Sequence, residues 1–277
     1  MDIIEIIKNR RSCRTFTSEE LNKNDKAELE KYIKENALGL KKESIPFKII
    51  EKEDKDIPLK INYGMIQGHK TYVLGSSLSN SDSRINYGYL MEKIVLKASE
   101  FNISSCWVGY FDPNYFKEIN IKKGYEIPSI LILGYAEKQS VGERLVRMTI
   151  KANKRNDWET MFFDLNTKSP LDPKQIPAYA DALEMLRLSP SSGNTQPWKV
   201  FYDKEAREFH FFKKIINKRY NEMGLHEIDM GIAMAHFELT STYKGLSGTW
   251  HKQEKKINGI PDDLHYIWTW KCAAMQG

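Results

Sequence analysis

The sequence predicts an α+β protein made of two similar halves, related by a pseudo-two-fold axis and written on a single chain like a fused homodimer. Three observations predict it. The segment "NYGYLMEKIVLKASEFNISSCW" is echoed without a gap by "DMGIAMAHFELTSTYKGLSGTW", so that Asn86 falls on Asp229, Gly88 on Gly231 and Trp107 on Trp250. The shorter "PFKII" at Pro46 is echoed by "PWKVF" at Pro197. Both halves also keep one order of helix, strand, long helix and strand. Solenoid units repeat at roughly 20–50 residues, and this repeat is far longer. Duplication followed by packing about a two-fold axis accounts for it. The halves are expected to span residues 1–165 and 166–277 and to pack as one unit.

In order along the chain, "DIIEIIKNR" places Ile3, Ile4, Ile6 and Ile7 on one face of a short helix, with Asp2 as its cap. A polar turn follows, and Asn24 is the expected cap of a second helix whose Leu29, Tyr32 and Ile33 share a face. "PFKII" and "KTYVLG" read as strands. From Ser83 to Phe101 the residues Leu90, Met91, Ile94, Ala98 and Phe101 recur at helical spacing. "SCWVGYF" is a strand running into a loop, and Asp112 before Pro113 is a helix start. "PSILILGYA" is an apolar run of strand length, expected to be buried on both faces. Between Gly142 and Pro177 the chain reads as basic, polar and irregular; "ADALEMLRL" then restarts the helical pattern.

The bulk composition narrows the class. Hydrophobic residues at 41% and charged residues at 29% describe an ordinary soluble globular chain of 277 residues. No apolar run is long enough to span a membrane, and the N-terminus has no signal-peptide pattern. Three scattered cysteines without CxxC spacing oppose a disulfide framework or a structural zinc site, and fit a cytoplasmic location. A net charge of +5, with basic and acidic residues interleaved, gives no nucleic-acid footprint. The six histidines form no HExxH pair, so no metal is expected. Neither GxGxxG nor GxxxxGK[ST] occurs.

Two stretches carry chemistry. "RRSCRTF", from Arg10 to Phe16, ends the first helix. It reads either as a solvated basic helix end or as an oxyanion clamp, because guanidinium matches phosphate bidentately and a serine hydroxyl adds a bond. "SPSSGNTQPW", from Ser189 to Trp198, is either a plain helix-to-strand connection or a loop whose small polar residues turn toward a ligand. Trp107 and Trp250 read as core anchors of the repeat, and Asp229 as a capping or hydrogen-bonding residue. No Ser–His–Asp or Cys–His arrangement supports a covalent intermediate on the protein.

Together with "SCWVGYFDP", these motifs resemble the FMN-dependent nitroreductase family, and more narrowly a subgroup with two fused halves. The resemblance covers most of the chain. It implies a nitroreductase-like fold and FMN as cofactor. Arg10 and Ser12 match the positions that hold the flavin phosphate, and Arg14 the cation at the N1/O2 edge of the ring. Arg11 and Cys13 occupy the variable positions between them, where the resemblance implies contact with flavin by backbone only. Gly109 and Tyr110 match the loop whose backbone amide faces flavin N5, and Lys154 and Arg155 the basic pair closing over the phosphate. Pro190, Ser191, Ser192 and Asn194 match the loop that in dimeric members crosses from the partner subunit.

The implied activity is hydride transfer from NAD(P)H through flavin N5 to an electron-poor small molecule, a nitroaromatic or a quinone, with no catalytic side chain. A flavin carrier or regulatory module without turnover is the alternative. The first half lacks the serine loop, having "LGLKKESI" there, and the second half lacks the arginine motif. One FMN per chain and a functional monomer are therefore expected, although Lys41 and Lys42 leave "LGLKKESI" some capacity for an anion.

Overall fold

Side-chain oxygens set where the helices begin. A computed structural model describes residues 2–52, 66–68 and 70–273. Helix α1, Ile3–Asn9, starts where Asp2 Oδ1 accepts from the Ile4 amide at 2.8 Å. Helix α2, Lys23–Glu35, is capped by Asn22, two residues ahead of the expected Asn24. Asn24 instead donates its amide to that cap. Strands β1, Lys48–Glu51, β2, Thr71–Leu74, and the short β3, Ser77–Leu78, lead to the long helix α3, Ser81–Glu100. Then come β4, Ser104–Val108, β5, Tyr125–Glu126, and β6, Ile130–Gly134.

Asp112 and Pro113 start only a three-residue 3-10 turn rather than a helix. Phe116 is drawn inward onto the rings of Tyr72, Phe111 and Tyr115, and this takes the chain off the helical path. The stretch after Gly142, expected to be irregular, carries helix α4, Val141–Thr149, capped by Ser140 Oγ on the Glu143 amide. Its Val141, Leu145 and Met148 share one face at helical spacing, but that face is exposed rather than packed on the core.

Strand β7, Phe162–Asp164, ends the first half; the second contains α5, Pro177–Arg187, β8, Trp198–Asp203, and β9, Glu208–Lys214. After them come the short α6, Lys218–Glu222, the long α7, Leu225–Tyr243, β10, Gly248–His251, and β11, Leu264–Cys272. The main sheets are ordered β1-β2-β6-β4 and β8-β9-β11-β10, the same topology twice. Their neighbours are all antiparallel. The exception is β7, which adds to β8 in parallel and so joins the second sheet from within residues 1–165. β6 is central and buried along its whole length, as its unbroken apolar run predicts.

Helices α3 and α7 pack against each other at the centre, buried nearly all round. A Cβ on Gly88 would stand 2.2 Å from the Ile228 carbonyl oxygen, and one on Gly231 only 1.9 Å from that of Ile85. Ile85 and Ile228 are themselves equivalent in the repeat. The contact is therefore reciprocal, the mark of a two-fold axis, and glycine is needed at both positions for the backbones to approach. The indole N–H of Trp107 donates to Glu92 and that of Trp250 to Glu238 (2.9 and 2.6 Å), so both tryptophans anchor the helices beneath them.

Candidate active site

The arginine motif reaches the sheet by pairing with it. Ser12 bridges to Ser105 of β4, and the Cys13 amide donates to the Ser105 carbonyl at 2.9 Å. This directs Ser12 and Arg14 into a cavity of about 430 Å³. Gly109 and Tyr110, just beyond β4, line the same cavity. From the second half Pro190, Ser191 and Ser192 close its far side. The cavity thus lies between the halves, where the separated motifs meet.

The serine loop is fixed from α7. Ser192 donates both its amide and its hydroxyl to Asp229 Oδ1, at 2.8 and 3.1 Å. The other Asp229 oxygen faces His226 Nδ1 at 3.4 Å. Burial pushes the Asp229 carboxyl up, while the bonds from His226 and Ser192 pull it back. Gly193 lies at φ 58°, with the Tyr220 ring where its Cβ would be, so the turn accepts only glycine there. In the first half Asn86, the repeat partner of Asp229, holds the "LGLKKESI" turn in the same manner. Its Oδ1 accepts from the Leu40 amide at 2.8 Å and its Nδ2 donates to the Glu43 carbonyl.

Arg10 points inward from the end of α1. Its Nε and Nη1 are buried with no hydrogen-bond partner among the described residues. Burial depresses its pKa, which Glu92 and Cys106 oppose and Arg147 reinforces. Arg155 lies in the same field, brought down to about 10 by burial and by Arg10, Arg187 and Arg147. Its Nη1 donates to Asn194 Oδ1 at 3.2 Å, and Asn194 Nδ2 donates to the Lys151 and Lys154 carbonyls. Asn194 therefore clips the basic segment to the serine loop rather than lining the cavity. Arg11 and the Lys154 side chain are exposed and are not brought to the cavity. Cys13 is buried, its thiol donating to the Thr15 carbonyl and pushed up to about 11 by burial.

Several lining residues were not singled out in the sequence. Val146 and Ile150 come from α4 and its end, and Arg219, Tyr220 and Met223 from α6 and the residue after it. Asp229, a capping or hydrogen-bonding residue by sequence, does that work under the serine loop. The signal for α4 was Ser140 followed by Glu143, the spacing of a capping box. The sequence carries no comparable mark for Arg219.

A solved protein shares this two-half arrangement. The crystal structure described as "a putative nitroreductase" from Thermotoga maritima aligns with a TM-score of 0.61 at 21% identity, covering 98% of this chain and 94% of that one. Shorter structures align with about half of the chain. A nitroreductase with bound FMN from Bacteroides fragilis covers 51% of this chain and 91% of its own, at 17% identity and a TM-score of 0.41. A nitroreductase family protein from Clostridium novyi covers 50% and 87%, at 19% identity and a TM-score of 0.40. No curated protein is significantly similar to the chain. The family model described as "Putative TM nitroreductase" matches residues 2–241. The chain belongs to that nitroreductase family. Among the described residues no helix is long and apolar enough to cross a membrane.

Proposed function

We propose that the chain is an FMN-dependent NAD(P)H oxidoreductase of the nitroreductase type, with one flavin between its halves. The unpartnered Nε and Nη1 of Arg10, which lies outside the cavity lining itself, carry the reading. A buried charge without a partner is costly, and a terminal phosphate is the anion that guanidinium geometry suits. Arg10 holds that phosphate, Ser12 adds a hydroxyl, and Arg14 supplies a cation within the cavity. Arg155, whose donors are taken by the Leu188, Ala152 and Lys154 carbonyls and by Asn194, adds its charge to the field. Asp229 orients Ser192 and keeps the serine loop closed over the second side. When bound, FMN supplies the two-electron chemistry, taking hydride from NAD(P)H and reducing a nitroaromatic or a quinone. No Rossmann glycine turn offers a place for the adenylate of FAD. The direct test is anaerobic: the purified yellow protein bleaches on addition of NADH or NADPH. A yellow protein that does not bleach is a flavin carrier; a colourless one that takes up no FMN overturns the proposal.

Arg14→Ala tests the cation. Hydrogen bonds to charged groups contribute roughly 1.5–3 kcal/mol, so FMN affinity is expected to fall about ten- to a hundred-fold. The reduction potential falls as well, because the reduced flavin is anionic and loses its counter-charge. Fluorescence titration and a redox titration read the two effects. Unchanged values in both would make Arg14 a solvated residue.

The stoichiometry is expected to be one FMN per chain, in a monomer. The repeat register carries Gly109 onto Lys252. There Lys252 Nζ pairs with Asp82 at 2.7 Å and lies 5.2 Å above the Trp268 ring, filling the reciprocal position. The Lys41 side chain lies outside the described residues, and Lys42 is exposed. Flavin absorbance against protein mass, with light scattering on the same sample, measures both quantities. Two flavins per chain would contradict the asymmetry.

A further inference from the structure

Helix α6 is not duplicated. The matching connection in the first half, between β2 and α3, carries only the two-residue strand β3. In the second half the connection between β9 and α7 builds one turn of helix whose Arg219 and Tyr220 line the cavity, with Met223 just beyond. The element is held firmly. Asn217 caps it, with Oδ1 accepting from the Tyr220 amide at 3.1 Å. The Asn217 amide donates to His226 Nε2 at 3.2 Å, and so joins the chain of bonds through Asp229 to Ser192. Lys213 Nζ, paired with the buried Glu227 at 2.5 Å, also donates to Asn221 at 2.8 Å. The Tyr220 ring packs on Gly193 of the serine loop.

From this base Arg219 is presented to the cavity mouth, its guanidinium carbon 5.8 Å from the centre of the Tyr110 ring. Tyr110 is 48% exposed. The same lining includes apolar side chains from Ile66, Val146 and Ile150. Among the described residues Asp229 is the one acidic residue in the lining, and its oxygens are engaged by Ser192 and His226. Arg219 makes no ion pair among the described residues. The mouth therefore combines an aromatic face, an apolar wall and a fixed cation.

We propose that Arg219 and Tyr110 form an acceptor subsite that selects planar aromatic substrates bearing an anionic substituent, such as a carboxylate, on the ring that carries the reducible group. The proposal deepens the oxidoreductase reading above and rests on it. A ring stacked on Tyr110 places its substituent within reach of Arg219, where carboxylate and guanidinium match as planar partners. The nicotinamide ring carries a neutral carboxamide, and the pyrophosphate of NAD(P)H is the competing anion, so the KM for the reductant is read beside the acceptor preference.

Isothermal titration of the FMN-saturated full chain with 2-naphthoate and with 2-naphthamide, nearly equal in shape and different in charge, tests it. A partly exposed ion pair with good geometry predicts that the carboxylate binds about five- to ten-fold more tightly. Arg219→Ala is expected to remove the difference and Arg219→Glu to reverse it; the exposed position makes both variants safe for folding. In turnover, the ratio of kcat/KM for 4-nitrobenzoate over 4-nitrobenzamide follows the same order, while KM for the reduced nicotinamide cofactor stays constant. Equal affinity for the two naphthalenes in the native chain, or a preference that survives Arg219→Glu, overturns the proposal. So does a variant that changes only the KM for the nicotinamide cofactor. The titration repeated without FMN keeps the two readings apart, because failure to take up flavin counts against the oxidoreductase and a missing charge preference against the subsite.

Discussion

Replacing Arg10 with methionine is expected to weaken FMN binding by about a hundred-fold or more, while leaving the flavin-free chain as stable as before or more so. Two charge-assisted hydrogen bonds to a phosphate, at roughly 1.5–3 kcal/mol each, set the size of the first effect. The second follows from the unpartnered Nε and Nη1. Methionine nearly matches the length of the aliphatic stem, and removing a buried unpaired charge relieves its desolvation. Glu92 does not lose its partners, since His236 Nε2 at 2.9 Å and the Trp107 indole remain. Thermal melts of the flavin-free variant and fluorescence titration with FMN measure the pair of effects. A variant that melts lower with unchanged FMN affinity would make Arg10 a structural cation and remove the observation on which the flavin assignment stands.

Gly231→Ala is expected to lower stability by about 2 kcal/mol or more, a fall of roughly 4–8 °C in Tm for a chain of this size. Helix propensity alone has the opposite sign, favouring alanine by about 1 kcal/mol. Packing wins because the atom met is the Ile85 carbonyl oxygen at 1.9 Å, which cannot rotate away as a side chain can. The helices must separate, and the cavity between the halves widens with them. Gly88→Ala meets the Ile228 carbonyl in the same way. The double variant is expected to lose less than the sum, since one separation admits both methyl groups. Gly142→Ala is the control, with open space around its Cβ and a helical position in α4. Differential scanning calorimetry of the four proteins checks the series; a stabilised Gly231→Ala would mean that the two central helices do not pack as closely as described.

Much of the fold was legible because local chemistry and periodicity are written in the residues themselves. Asp2 caps α1, the apolar run of β6 lies central in its sheet, and the ungapped echo from Asn86 to Trp107 returns as the reciprocal pair of α3 and α7. Whether an apolar face is used as core was not legible. Helix α4 carries Val141, Leu145 and Met148 at helical spacing, yet all three are exposed (82%, 64% and 74%), while Val146 turns to the cavity. The Asp112–Pro113 start was a correct local signal that the inward pull of Phe116 overrode.

The candidate site divides along the same line. By itself the sequence determined which residue types could serve a phosphate and a flavin, and that the arginine motif and the serine loop sit in different halves. It determined the pseudo-symmetry as well, since duplication leaves a linear record. Only the tertiary structure decided which of these side chains meet. It placed Ser12, Arg14, Gly109 and Ser192 around one cavity, left Arg11 and the Lys154 side chain in solvent, and made Asn194 a clip between segments. It alone brought in Arg219, from an unduplicated turn with no motif. The physical reason is range: caps and periodicity act over a few residues, whereas burial, unpaired charge and close approach depend on what the opposite half places there.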